Sequence, residues 1–142
     1  MKRLNIVFVL ISALPAISAD REPVARELFN PSAPYTPGIL AGDTLYVSGL
    51  QGSDPRSGDL PKDFTEELRR CFENVGLVLK AAQMNYRNVV SVQIYLTDMN
   101  QFGKMNSIYR EYFKDPLPAR TALGVAALSL GARVEVAVTA KK

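Results

Sequence analysis

With 142 residues, 47% apolar and 22% charged, the chain has the size and composition of one folded domain, which excludes a disordered polymer. No apolar run reaches the ~18–20 residues of a membrane span, and a formal net charge of +3 is too small to mark a nucleic-acid binder. There is no histidine and only one cysteine, Cys71, so imidazole acid–base chemistry, a cysteine zinc site and an intrachain disulfide are all excluded.

The chain begins MKRLNIVFVLISALPAISAD. Lys2 and Arg3 precede an apolar run from Leu4 to Leu14, then a proline and small residues near Ala19. That is the layout of a secretory leader, too short to span a bilayer. The expected organisation is therefore a signal peptide over 1–19 and one domain over 20–142. Cleavage is expected after Ala19, with Ser18 as the competing site. The product would be periplasmic or secreted, free of the membrane after cleavage, or cytoplasmic if unprocessed. Removing residues 1–19 takes away two basic side chains and leaves 15 basic against 14 acidic, a near-neutral domain.

A short strand is expected at Arg26–Phe29. The segment NPSAPYTPG, Asn30 to Gly38, carries three prolines and reads as a stiff extended loop. DTLYVSG, Asp43 to Gly49, reads as a strand. Gln51 to Asp63, rich in Gly, Pro, Ser and Asp, reads as loop. Asp63 with Glu66 three residues on is a capping box. Phe64, Leu68, Cys71, Val75, Val78 and Ala82 then repeat at helical spacing. Cys71 lies on that apolar face and reads as a small buried hydrophobe rather than a nucleophile.

VVSVQIYLTD, Val89 to Asp98, alternates, with Val90, Val92, Ile94 and Leu96 predicted to face the core. A second helix is expected over about Gln101–Lys114, capped by Asp98 or Asn100 and ended by Pro116. Two last strands, about Arg120–Leu128 and Ala132–Ala140, are separated by Ser-Leu-Gly and read as a hairpin. The pattern predicts an α+β domain with two helices on one face of a mixed sheet. The other face is left uncovered and partly apolar, which predicts a homo-oligomer.

The same hairpin would bring one cation, Arg120, near one carboxylate, Glu135. A guanidinium matches a carboxylate through paired hydrogen bonds, and a carboxylate can hold or deprotonate water. A small acid seated beside both is the chemistry these two residues allow.

Several motifs carry a resemblance that spans about Pro34 to Ala140. They are APYTPGI, LYVSG followed by Gln51, DPRSGDL, ENVGLVLKAA, VVSVQIYLTDMNQFGKMNSIYREYF and PARTALGVAALSLGARVEVAVTA. The chain resembles the RidA/YjgF family of reactive-imine deaminases. The resemblance implies a chorismate-mutase-like homotrimer with ligand clefts between subunits, and no cofactor or metal. It implies hydrolysis of 2-imino acids to 2-oxo acids and ammonia. Arg120 is then the substrate-binding arginine and Glu135 the water-positioning glutamate. Tyr35, Ser48, Gly49, Asn106 and Ala122 are the further substrate contacts. The chain departs from the family's pattern at Ala33, Pro37 and Ala122, the last often a cysteine. Two other functions remain open at this point: an exported trimer that binds small carboxylates or acts as a holdase chaperone, and RNA cleavage. The lack of histidine and the near-neutral domain weigh against the last.

Overall fold

A computed structural model describes residues 20–142; the expected leader over 1–19 lies outside the described residues. Six strands form one sheet: β1 (Arg21–Val24), β2 (Gly38–Ala41), β3 (Thr44–Gln51), β4 (Val89–Leu96), β5 (Ala119–Gly124) and β6 (Val134–Lys141). Helices α1 (Phe64–Ala81) and α2 (Phe102–Tyr112) pack together on one side of it. The α+β class and the single helix layer are as expected.

Local chemistry sets the element ends. The Asp63 carboxylate accepts from the Glu66 amide at 3.1 Å and starts α1. The reciprocal half of the capping box is not used, because Glu66 turns to Arg70 at 2.9 Å. Asp98 caps the short 3₁₀ turn Met99–Gln101 that leads into α2. On the buried face of α1, Leu68, Cys71, Phe72, Val75 and Val78 are wholly shielded. Burying a side chain of Val or Leu size contributes about 1.5–3 kcal/mol. This face meets Leu45, Val92, Ile94, Leu96, Val134 and Val136 from the sheet.

Three sequence expectations need correction. Arg26–Phe29 is not a strand: the strand is Arg21–Val24, and residues Arg26–Leu28 make a 3₁₀ turn. The loop expected over Asn30–Gly38 gives way at Gly38 to a strand, Gly38–Ala41, which pairs with β3 through the Gly42–Asp43 turn. Val90 points outward, 49% exposed, because an irregularity between Val89 and Ser91 shifts the register and turns Val89 inward instead.

The most consequential difference is topological. The strand order is β1-β2-β3-β6-β4-β5, so β5 and β6 are not a hairpin. β4 lies between them, parallel to β5 and antiparallel to β6. A parallel β4–β5 pair requires a crossover, which α2 supplies. The connection after β5 then steps past the end of β4, held by Val125 N–H to the Leu96 carbonyl at 2.8 Å and Thr97 N–H to the Arg133 carbonyl at 3.0 Å. The valine-rich β6 thereby takes a central place between β3 and β4.

Candidate functional site

Residues aligned across a sheet share a face. Val47, Val138, Val92 and Arg120 form one such row, and the three valines are buried toward the helices. Arg120 therefore lies on the helix side. Gln51, Glu135, Tyr95 and Leu123 form another row, one step out of phase, on the bare side. Within one protomer Arg120 and Glu135 point to opposite faces of the sheet. The expectation that adjacent strands bring them together fails, and the physical reason is the insertion of β4.

Each of the two has its own surroundings. The Arg120 guanidinium carbon sits 4.6 Å from the Tyr109 ring centroid and 5.8 Å from that of Phe102. Nη1 lies 3.7 Å from the Met105 thioether sulfur. These neighbours, all on α2, hold the cation by quadrupole attraction and weak acceptance. Among the described residues no carboxylate pairs with Arg120. Its N–H fork thus stays open for a bidentate anion. Asn106, Leu117 and Pro118 join Arg120 and Tyr109 around a cavity of about 190 Å³. Tyr109 is 3% exposed, and its hydroxyl has no hydrogen-bond partner among the described residues. Burial pushes that phenol's pKa up, against the opposing pull of Arg120.

Glu135 lines a larger cavity of about 370 Å³ together with Tyr35, Gly49, Gln51, Asn74 and Ser129. Gly49 is needed there: a Cβ at that position would overlap Glu135 Oε1 and lie 2.8 Å from its Cδ. Tyr35, 47% exposed, stands at the cavity wall. The loop that carries it is pinned by Ser48, whose amide donates to the Pro37 carbonyl at 2.9 Å and whose hydroxyl donates to the Thr36 carbonyl at 2.7 Å.

The predicted site residues thus fall into two groups. Tyr35, Gly49 and Glu135 share the larger cavity; Arg120 and Asn106 share the smaller one. The Ser48 hydroxyl is occupied by the loop it anchors. Ala122 packs against the core and lines neither cavity. Sequence reading missed the contributions of Gln51, Ser129 and Tyr109. Gln51 reads as the start of a loop, yet it is the last residue of β3, and its two-residue offset from Gly49 is the available signal. Tyr109 falls within the helix expected over about Gln101–Lys114, where nothing local sets it apart. Among the described residues no group of His, Cys, Asp or Glu is arranged to hold a metal ion.

A mixed sheet with one helix layer, an open arginine at its edge and a glutamate in a cavity on its bare face define an α+β domain of the RidA type. A family model described as "Endoribonuclease L-PSP" matches residues 25–142, and the chain belongs to that family, the RidA/YjgF family its motifs resemble. The chain is 46% identical over 104 residues to the 2-iminobutanoate/2-iminopropanoate deaminase of Mus musculus, covering 72% of this chain and 77% of that protein. It is 43% identical to the Homo sapiens protein of the same name, covering 75% and 79%. Among solved structures, RidA from an Antarctic Psychrobacter superposes with a TM-score of 0.81 at 29% identity, covering 86% of this chain and all of that one.

Proposed function

We propose that the chain is a hydrolytic deaminase of 2-imino acids, releasing 2-oxo acids and ammonia at a site shared between protomers of a homotrimer. The observation that carries the reading is the open Arg120 guanidinium, aromatic-braced and without an ion-pair partner among the described residues. The deaminase name borne by relatives at 43–46% identity supports the substrate class.

Arg120 grips the substrate carboxylate through paired hydrogen bonds. The imine carbon next to it is then held at a fixed distance and orientation, which recovers much of the entropy cost of a bimolecular reaction. Glu135 of a neighbouring protomer orients a water and takes its proton as the oxygen attacks that carbon. The C=N π pair moves to nitrogen and gives a tetrahedral carbinolamine. Glu135 returns that proton to the amine nitrogen and takes the hydroxyl proton as the C–N bond breaks, so ammonia leaves as the C=O forms. General-base assistance contributes about 10²–10⁴-fold.

The test is an assay that generates 2-iminopropanoate in situ and follows its breakdown. Arg120→Ala should abolish the acceleration; Glu135→Gln should bind substrate and turn it over slowly. Wild-type protein that does not speed imine breakdown would leave the carboxylate-binding or holdase role in its place. Sedimentation at micromolar concentration should give a trimer, and a single monomer-mass species would end the shared-site reading. The near-neutral domain and lack of histidine disfavour the RNA cleavage that the family description names. We also propose export by way of residues 1–19, tested by N-terminal sequencing of protein from cell fractions.

A further inference from the structure

We infer that Gln51 is a positioning residue for Glu135, holding one carboxylate oxygen so that the other faces the water. This inference rests on the deaminase reading above.

Gln51 and Glu135 are direct cross-strand partners on the bare face of the β3–β6 pair. Their backbones are thus fixed relative to each other by the sheet. The Gln51 amide nitrogen donates to Ser129 Oγ at 2.7 Å and to Glu135 Oε2 at 3.2 Å. A carboxamide nitrogen has two N–H bonds, and both are used. The amide is therefore held one way round by Glu135: the flipped form would set its carbonyl oxygen against a carboxylate oxygen, whereas the Ser129 hydroxyl can pair with either end. The backbone beneath is anchored as well. The buried Asn74 side chain on α1 donates to the Gln51 carbonyl and to the Ser53 carbonyl, each at 2.9 Å.

The consequence for Glu135 is asymmetric. Oε2 accepts from Gln51; Oε1 lies over Gly49, where no side chain intrudes, and accepts from no described residue. Oε1 is the oxygen left to receive a water proton. Without Gln51 the carboxylate rotates freely about its last bond, and the two oxygens share the cavity with no fixed geometry. Positional error of about 1 Å at a catalytic group costs on the order of 10²-fold in rate.

The experiment uses the full chain and the 2-iminopropanoate assay. Gln51→Leu should lower kcat about 10–100-fold with KM changed less than about threefold, because Arg120 and the carboxylate grip are untouched. Gln51→Glu sets a second carboxylate beside Glu135, and like charges resist joint ionisation. The acid limb of its kcat–pH profile should move to higher pH, a shift that loss of folding alone does not produce. In a Glu135→Ala background, Gln51→Leu should cause no further loss. The inference is overturned if wild type deaminates yet Gln51→Leu keeps kcat within twofold, or if the Gln51→Glu limb stays in place. It is also overturned if Gln51→Leu costs as much without Glu135 as with it. Absence of deamination by wild type would instead refute the deaminase reading itself.

Discussion

Replacing Gly49 by alanine isolates the placement of Glu135 from the rest of the fold. Gly49 does not lie in the left-handed region, unlike Gly42, Gly58 and Gly131, so alanine is free to adopt its backbone conformation. The three atoms nearest the added methyl all belong to Glu135: Cβ would overlap Oε1, and would stand 2.8 Å from Cδ and 3.2 Å from Cγ. An ordinary carbon–carbon contact is about 3.5–4.0 Å, so the carboxyl carbon must retreat by about 1 Å. A displacement of that size costs on the order of 10²-fold in rate, within the 10²–10⁴ range of a general base. The side chain retreats by rotation rather than by backbone movement, so stability should fall by less than about 1 kcal/mol. Steady-state kinetics with 2-iminopropanoate would show kcat down about 100-fold and KM nearly constant. The decisive measurement is the double variant. With Glu135→Ala already in place, the methyl occupies vacated space and should cost nothing more. A Gly49→Ala protein with wild-type kcat, or one that loses as much without Glu135 as with it, would refute the placement of the carboxylate over Gly49.

Tyr109→Leu removes the ring that braces Arg120, and cation–π contact of about 0.5–2 kcal/mol should appear as a ~3–30-fold rise in KM. Tyr109→Phe keeps the ring and deletes a buried hydroxyl that has no partner among the described residues, so its thermal midpoint should hold or rise. Arg133→Ala strips the cation from the fully buried Glu67, whose oxygens accept from Arg133 Nε at 2.5 Å and the Arg133 amide at 2.7 Å. Denaturant unfolding should show a loss near the low end of about 3–5 kcal/mol, since the backbone donors to Glu67 remain. Burial pushes the Cys71 thiol well above its ordinary pKa. The unfolded thiol ionises near pH ~8.5 while the folded one keeps its proton, so this contribution is complete below ~8.5 and is lost as pH rises above it, by up to ~1.4 kcal/mol per pH unit. Cys71→Ala should flatten that part of the stability–pH curve, and reagents for thiols should react with the wild type only after unfolding.

The elements with strong periodicity were legible in the sequence. The apolar positions of α1 and the alternation of β6 follow directly from local spacing, and both helices fall where their stripes place them. The pairing of strands was not legible. Ser129–Gly131 looks like a hairpin turn, but it closes a longer connection around the end of β4, and only the parallel β4–β5 pairing explains why. Val90 shows the same limit on a smaller scale: its alternation is perfect in sequence, yet a register shift in the β4–β6 pair turns it out. Arg120 and Glu135 stand out in the sequence only as residue types; their placement on opposite faces of the sheet follows from strand order, which local spacing does not carry. Gln51 escaped because its role depends on a cross-strand partner 84 positions away.

The separation of Arg120 and Glu135 within a protomer has a physical use. On adjacent strands and the same face, a guanidinium and a carboxylate would meet at hydrogen-bond distance and neutralise each other. Here β4 places them two strand spacings apart, roughly 10 Å, on opposite faces of the sheet. Neither has an ion-pair partner among the described residues, and the proposed shared cleft would bring them within reach of one small substrate by apposing two protomers. Mixed oligomers test this directly. Alone, Arg120→Ala should lose the acceleration, and Glu135→Ala should keep only the residual rate left without its general base, about 10²–10⁴-fold down. Unfolded together in equal amounts and refolded, they assemble at random, and a shared site regains both groups when an intact arginine faces an intact glutamate. In a cyclic homo-oligomer that occurs at about one interface in four, so about a quarter of wild-type activity should return. A site contained in one chain would recover none, and zero recovery in mixtures shown by mass to contain both variants would refute the shared cleft.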